Sequence, residues 1–203
     1  MFVLTADQRA SRRGPDLVPG ALAVLEDLPT VLPFERTIGD EIQGVLSDPA
    51  IALLAAARLS RANRWSIGLG VGPIESPLPP TSREGRGPAF IAAREAVERA
   101  KGLYPSVTVV GADTKQVHEA RTVLSLLAGI WVKRTDPGWE AVDTMLRHGG
   151  SQAGAARSLG ISEQAISQRL KTALWQLELD AQPLIVDLLD RANRASSDER
   201  TSP

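Results

Sequence analysis

A chain of 203 residues with 43% apolar content is long enough for one large domain or two small ones, and it can fold without covalent staples. With no cysteine and two histidines it excludes disulfides, thiol catalysis, cysteine-ligated zinc and a histidine-rich metal site. A net charge of −1 argues against non-specific polyelectrolyte binding to nucleic acid. Met1 to Ala6 is too short for a signal peptide and no run approaches the roughly 20 apolar residues of a membrane span, so a cytoplasmic protein is expected.

In chain order, Phe2 to Ala6 reads as a strand and Leu17 to Leu28 as a helix. Val31 to Thr37 and Glu41 to Leu46 read as two strands joined at Ile38-Gly39-Asp40, because Gly-Asp tolerates the positive φ of a hairpin turn. A helix from Pro49 to about Asn63 starts after Asp48, with proline at the permissive first position. Trp65 to Val71 is a strand, the proline-rich residues 72–87 are loop, Ala89 to Lys101 is a helix and Val107 to Val110 a short strand. This order predicts an antiparallel sheet with helices on one side, close to a ferredoxin-like α+β sandwich. Gly68, Gly70 and Gly72 alternate within a strand and lack the strand-loop-helix setting of a P-loop, so they read as a close helix crossing or a bulge.

Beyond Gly111 no strand signal survives, which places a domain boundary between Tyr104 and Asp113: an α+β domain over 1–110 and an all-α domain over 111–195. Asp113-Thr114 caps a helix running through Leu124 to Val132, and Asp136-Pro137 caps another that ends near His148-Gly149-Gly150. The first of these carries Val117, Val123, Leu124, Leu126, Leu127, Ile130, Trp131 and Val132, more apolar surface than a small helical domain covers. A two-fold homodimer would bury it; packing on the chain's own sheet is the alternative. Trp131, Trp139 and Trp175 read as core or interface residues, Pro183 to about Ala195 as a last helix, and 196–203 as a disordered tail.

Between those helices, residues 151–175 carry the spacing of a helix-turn-helix. Ala156 is small where two helix backbones cross, Gly160 supplies a left-handed C-cap, Ile161 anchors the turn and Ser162 is a good N-cap. Ala165, Ile166, Leu170, Leu174 and Leu177 keep one face of the following helix on a core. On the other face Gln164, Ser167, Gln168 and Lys171 form a stripe of hydrogen-bonding groups suited to base edges in a major groove of double-stranded DNA. Arg147, Arg157, Arg169 and Lys171 against Glu163 leave a local positive excess for phosphates. Any amphipathic helix pair in a bundle would also be polar outside; the short amides and hydroxyls, in place of Glu and Lys, favour nucleic acid.

Three blocks of the first half resemble the SatD family and, more distantly, the catalytic domain of class III nucleotide cyclases: residues 37–46 around Thr37-Ile38-Gly39-Asp40-Glu41, 65–72 from Trp65 to Gly72, and 87–94 from Gly87 to Arg94. The resemblance spans residues 2 to 105. It implies that Asp7 and Asp40 hold magnesium against a nucleotide, that Arg36 stands at a purine-recognising position, and that Arg94 stands where an arginine stabilises charge on the transferring phosphate. Phe90 departs from the pattern, which has asparagine there, and a phenyl ring cannot donate a hydrogen bond to a transition state. The expectation is therefore a domain that binds a nucleotide effector without turning it over. Plainer readings stand beside it: Asp7 capping a loop, Asp40 as a turn residue, Arg94 paired with Glu98. The combined reading is a sequence-specific DNA-binding transcriptional regulator and not an enzyme, with a nucleotide-processing enzyme or a protein-interaction adaptor as alternatives.

Overall fold

A computed structural model describes residues 1–11, 14–112 and 114–198. Its strands are β1 (Phe2–Gln8), β2 (Leu32–Arg36), β3 (Glu41–Leu46), β4 (Trp65–Val71) and β5 (Val107–Val110). Its helices are α1 (Val18–Ala23), α2 (Pro49–Arg61), α3 (Pro88–Lys101), α4 (Lys115–Lys133), α5 (Asp136–Arg147), α6 (Gln152–Leu159), α7 (Glu163–Thr172) and α8 (Trp175–Asp198). The class is α+β, and among the described residues no helix is long and apolar enough to cross a membrane.

The sheet runs β2-β3-β1-β4-β5. Neighbouring strands among the first four are antiparallel, in the ferredoxin-like order, but β5 lies parallel to β4, so the sheet is mixed and not wholly antiparallel. The cause is the β4–α3–β5 connection: a crossover helix returns the chain to the same end of the sheet, where a hairpin would reverse it. That crossover also overturns the expectation of helices on one side. Helix α3 covers one face, through Val3, Val45, Ala89 and Ala93, while α1, α2, α4 and α8 cover the other against Phe2, Leu4, Ile67 and Leu69. Close approach on the α3 face depends on glycine. A Cβ on Gly68 would sit 2.2 Å from the Val97 nitrogen, and one on Gly70 2.2 Å from the Ala89 oxygen.

Helix α4 starts at Thr114, whose side chain accepts from the Val117 amide, and Val117, Leu124, Leu127 and Trp131 are buried in the core of the sheet. The apolar surplus that suggested a dimer is thus spent within the chain, leaving Leu126 at 68% exposure as its main remnant. The last helix is longer than its composition implied. It begins at Trp175, continues through Pro183, and buries Ile185, Leu188, Leu189 and Ala192 on the same core. Residues 196–198, expected in a disordered tail, are helical, because the small Ser196 fits against Gly111 and its hydroxyl accepts from the Ala112 amide at 3.1 Å. The rest of that expected tail, 199–203, lies outside the described residues. One helical turn earlier, Asn193 Oδ1 accepts from the Met1 nitrogen at 2.6 Å.

Residues 111–195 therefore do not share one core. Helices α4 and α8 complete the sheet layer, whereas α5, α6 and α7 enclose a small separate cluster of Ala141, Val142, Met145, Ala155, Ala156, Ile166 and Leu170.

Candidate nucleic-acid interface

The α6–α7 pair is built by its caps. Ser151 Oγ accepts from the Gly154 amide at 3.1 Å to start α6, and Gly160 ends it in the left-handed conformation at φ 64°, with the Ile161 amide returning to the Ala156 carbonyl at 3.1 Å. Ser162 Oγ then accepts from the Ala165 amide at 3.1 Å and starts α7. Buried Ala155 and Ala156 allow the crossing, and Ile166 and Leu170 hold α7 against α5 and α6. The core face stops there. Leu174 and Leu177, expected to continue it, are 47% and 56% exposed. The reason is local: α7 ends at Thr172, and Leu174 at φ 54° turns the chain into α8, so the helical period does not carry across.

Gln164, Ser167, Gln168 and Lys171 are all exposed along α7, and Arg157 is exposed on α6. The hydroxyl of Ser162 is committed to its cap. Arg147, at the end of α5, donates to Thr144 Oγ1 at 2.8 Å. Arg169 differs from the others: it is half-buried, and its Nη1 donates to Glu140 Oε2 at 2.8 Å, tying α7 to α5. Among the described residues no carboxylate is paired with Arg147, Arg157 or Lys171, and these three are the charges open to phosphates.

Beneath this unit is a buried ion pair that the sequence reading missed. The Arg134 guanidinium pairs with Glu178, donates from Nε and Nη2 to the Ala173 carbonyl at 3.1 and 2.9 Å, and stacks 4.5 Å above the Trp139 ring. Trp131 Nε1 donates to the second oxygen of Glu178 at 2.9 Å. One residue pair thus joins the ends of α4 and α7 to the starts of α5 and α8. Breaking a buried pair of this kind leaves an uncompensated charge, a cost of about 3–5 kcal/mol. The sequence offered little signal for it, since Lys133-Arg134 at a helix end reads as a solvated C-terminal charge pair.

At the sheet edge the structure does bring Asp7 and Asp40 together. They line one shallow pocket with Ser66 and Lys101, where the Gln8 amide donates to the Asp40 carbonyl at 3.2 Å. The fit to a divalent cation fails on Lys101. Its ammonium lies 2.7 Å from Glu98 and 3.3 Å from Asp7, and Glu98 first, with Asp7, holds its pKa above the ordinary lysine value despite partial burial. A tethered cation thus neutralises the carboxylate a metal would need, and among the described residues no group of three potential metal ligands forms. Arg36 is turned away from this pocket: it pairs with Asp16 and donates to the Gly39 carbonyl at 2.8 Å. The Arg36 hydrogen bond and the Val18 amide lower the Asp16 pKa. Arg94 is exposed midway along α3 and does not line the pocket either, and the Glu98 once considered as its partner is taken by Lys101. Phe90 has a packing role that asparagine would not fill: a Cβ on Gly85 would lie 1.9 Å from Phe90 Cζ, so the ring lies directly on the loop.

No family model matches the sequence, and no curated protein does so. Among solved structures, the chain is similar to a regulator of polyketide synthase expression from Bifidobacterium adolescentis, at 15% identity over 96% of this chain and 80% of that one. The TM-score is 0.28, too low for the likeness to carry an argument.

Proposed function

We propose that this chain is a sequence-specific DNA-binding regulator of transcription, in which α5, α6 and α7 form a helix-turn-helix and α7 enters the major groove. The observation that carries this reading is the division of α7: Ile166 and Leu170 are buried, while Gln164, Ser167, Gln168 and Lys171 stand exposed in one stripe without a partner element. Amides at the start of such a helix pair with adenine edges, and Arg157, Arg147 and Lys171 hold the backbone. Two copies on two half-sites supply the affinity that so few phosphate contacts per copy do not. The α+β domain serves this regulator as a scaffold. Magnesium-dependent nucleotide binding at Asp7 and Asp40 is not part of the proposal, because Lys101 already pairs with Asp7.

Selection of bound fragments from genomic DNA, followed by sequencing, tests the reading. A defined motif is expected, and Gln168→Ala relaxes one position of it by about 1–3 kcal/mol while leaving affinity for random DNA unchanged. Recovery of no motif, or equal losses on selected and random DNA, overturns it.

A further inference from the structure

Helix α8 leaves a row of leucines uncovered. Leu177 and Leu184, two turns apart on one face, are 56% and 50% exposed, while Leu174 just before the helix and Leu146 near the end of α5 are 47% and 60% exposed. Leu146, Leu174 and Leu177 rim an open groove of about 690 Å³ whose floor is the buried Met145, Leu170 and Trp175. None of the residues outside the described ones, 12–13, 113 and 199–203, has a large apolar side chain with which to cover it.

The chemistry of the groove selects among occupants. A small-molecule site fixes its ligand by polar groups that converge on an apolar pocket. Here the residues whose buried polar atoms lack a partner, Thr81, Arg134 and Trp139, all lie outside the lining, and its one charge among the described residues is the exposed Lys171. An apolar surface with no charge at its centre has the composition of a protein interface core. Four leucines about half exposed make a patch on the order of a few hundred Å², the class that marks an interaction site on a monomer, yet less than the roughly 800 Å² per partner of a standard interface. Ridge and groove also belong to the same patch. A two-fold rotation lays each ridge into the other groove, which is the self-complementarity that an isologous pair requires.

We infer that this patch pairs with the same patch on a second copy of the chain, with Leu177 nearest the two-fold axis and Leu184 extending the contact along α8. The choice of a second copy rests in part on the DNA-binding reading, which needs two copies on two half-sites. The surface is not the α4 face whose composition suggested a dimer, since most of that face is buried within the chain. Ser167 and Lys171 line the α7 side of the groove whereas Gln164 and Gln168 do not, so pairing sets two α7 helices side by side without covering those amides. A two-fold pair reads an inverted repeat.

Sedimentation velocity on the full-length protein without DNA, from about 5 to 500 μM, is expected to show a reversible monomer–dimer exchange with a Kd of about 10–200 μM, the weak range of so small a patch. Leu177→Glu, at an exposed position that folding tolerates, weakens it at least tenfold, and Leu184→Glu weakens it less. Ile91→Glu, the same change at a 72% exposed position on α3, leaves it unaltered. The chain has no cysteine, so Leu177→Cys introduces a single thiol, and a short bismaleimide joins these chains in pairs far faster than Ile91→Cys chains, because a residue near a two-fold axis meets its own copy. A protein that stays monomeric at 500 μM, an exchange that Leu177→Glu leaves unchanged, equal cross-linking at the two positions, or an operator built as a direct repeat overturns the pairing. Failure of the two readings is told apart: a dimer sensitive to Leu177→Glu with no DNA motif recovered removes DNA binding alone, and a motif recovered with a monomeric protein removes this interface alone.

Discussion

Salt dependence separates the arginines of the α5–α7 unit. Each phosphate neutralised on B-DNA contributes about −0.9 to the slope of log affinity against log salt. Arg147, Arg157 and Lys171 are open in each copy, whereas Arg169 is held by Glu140 at 2.8 Å. Three contacts per copy and two copies give a slope of about −5, or a loss of about 10³-fold between 50 and 200 mM salt. Arg157→Ala removes one contact per copy, which brings the slope to about −3.5 and the loss to about 10²-fold. Arg169→Met leaves the slope where it is and costs the protein at most about 1 kcal/mol of stability, the usual worth of a partly exposed pair. Fluorescence anisotropy on a selected operator across a chloride series measures all three slopes. A wild-type slope shallower than about −2, or a reduction by Arg169→Met equal to that by Arg157→Ala, refutes the assignment of free and committed charges.

Two glycine replacements of identical chemistry have opposite signs. Gly68→Ala drives a methyl group to 2.2 Å from the α3 backbone and is expected to cost about 1–3 kcal/mol or more, a fall of roughly 3–10 °C in Tm, while Gly129→Ala within α4 meets nothing within 4 Å and raises Tm by a few degrees; calorimetry giving the same sign for both defeats the packing argument. At the sheet edge, wild type is expected to leave Mn²⁺ free at millimolar concentration and Lys101→Met to bind it, since the substitution leaves Asp7 without its cation beside Asp40. Electron paramagnetic resonance of Mn²⁺ decides it, and metal bound by the wild type removes the role given to Lys101.

The features legible in the sequence are those whose cause is local. Strand β3 runs Glu41–Leu46 and β4 Trp65–Val71, with the bounds read from the sequence, and Asp48, Thr114 and Ser162 cap the helices that follow them. What was missed depends on distant parts of the chain. Lys101 neutralises Asp7 across most of the first domain, and only the crossover of α3 brings them together. The end of α7 was misplaced because Leu174 and Leu177 keep a helical spacing, and a leucine at positive φ gives no warning in composition. Ser196 looked like tail because it is polar, yet its size suits the space that Gly111 leaves beside Val71. Arg134 and Glu178 each read as surface charges until the four helix ends that bury them are assembled.

Those four ends bear on how such a protein is regulated. Only Arg134 and Thr135 connect α4 to α5, and only Ala173 and Leu174 connect α7 to α8. Both links enter the Arg134–Glu178 network, the first through Arg134 itself and the second through the Ala173 carbonyl it binds. Helix α8 then runs without a break from Trp175 in the small core to Ile185 and Ala192 in the core of the sheet. A unit attached in this way does not swing on a flexible linker; its orientation is set by packed side chains with few alternative arrangements. A ligand can change that orientation only by favouring one arrangement of the junction over another, by no more than its difference in affinity for the two. Trp131, Trp139 and Glu178 line the cleft between α2, α4, α5 and α8 and form or flank this network. A displacement of α5 at this cleft is therefore felt by α7, which packs on it.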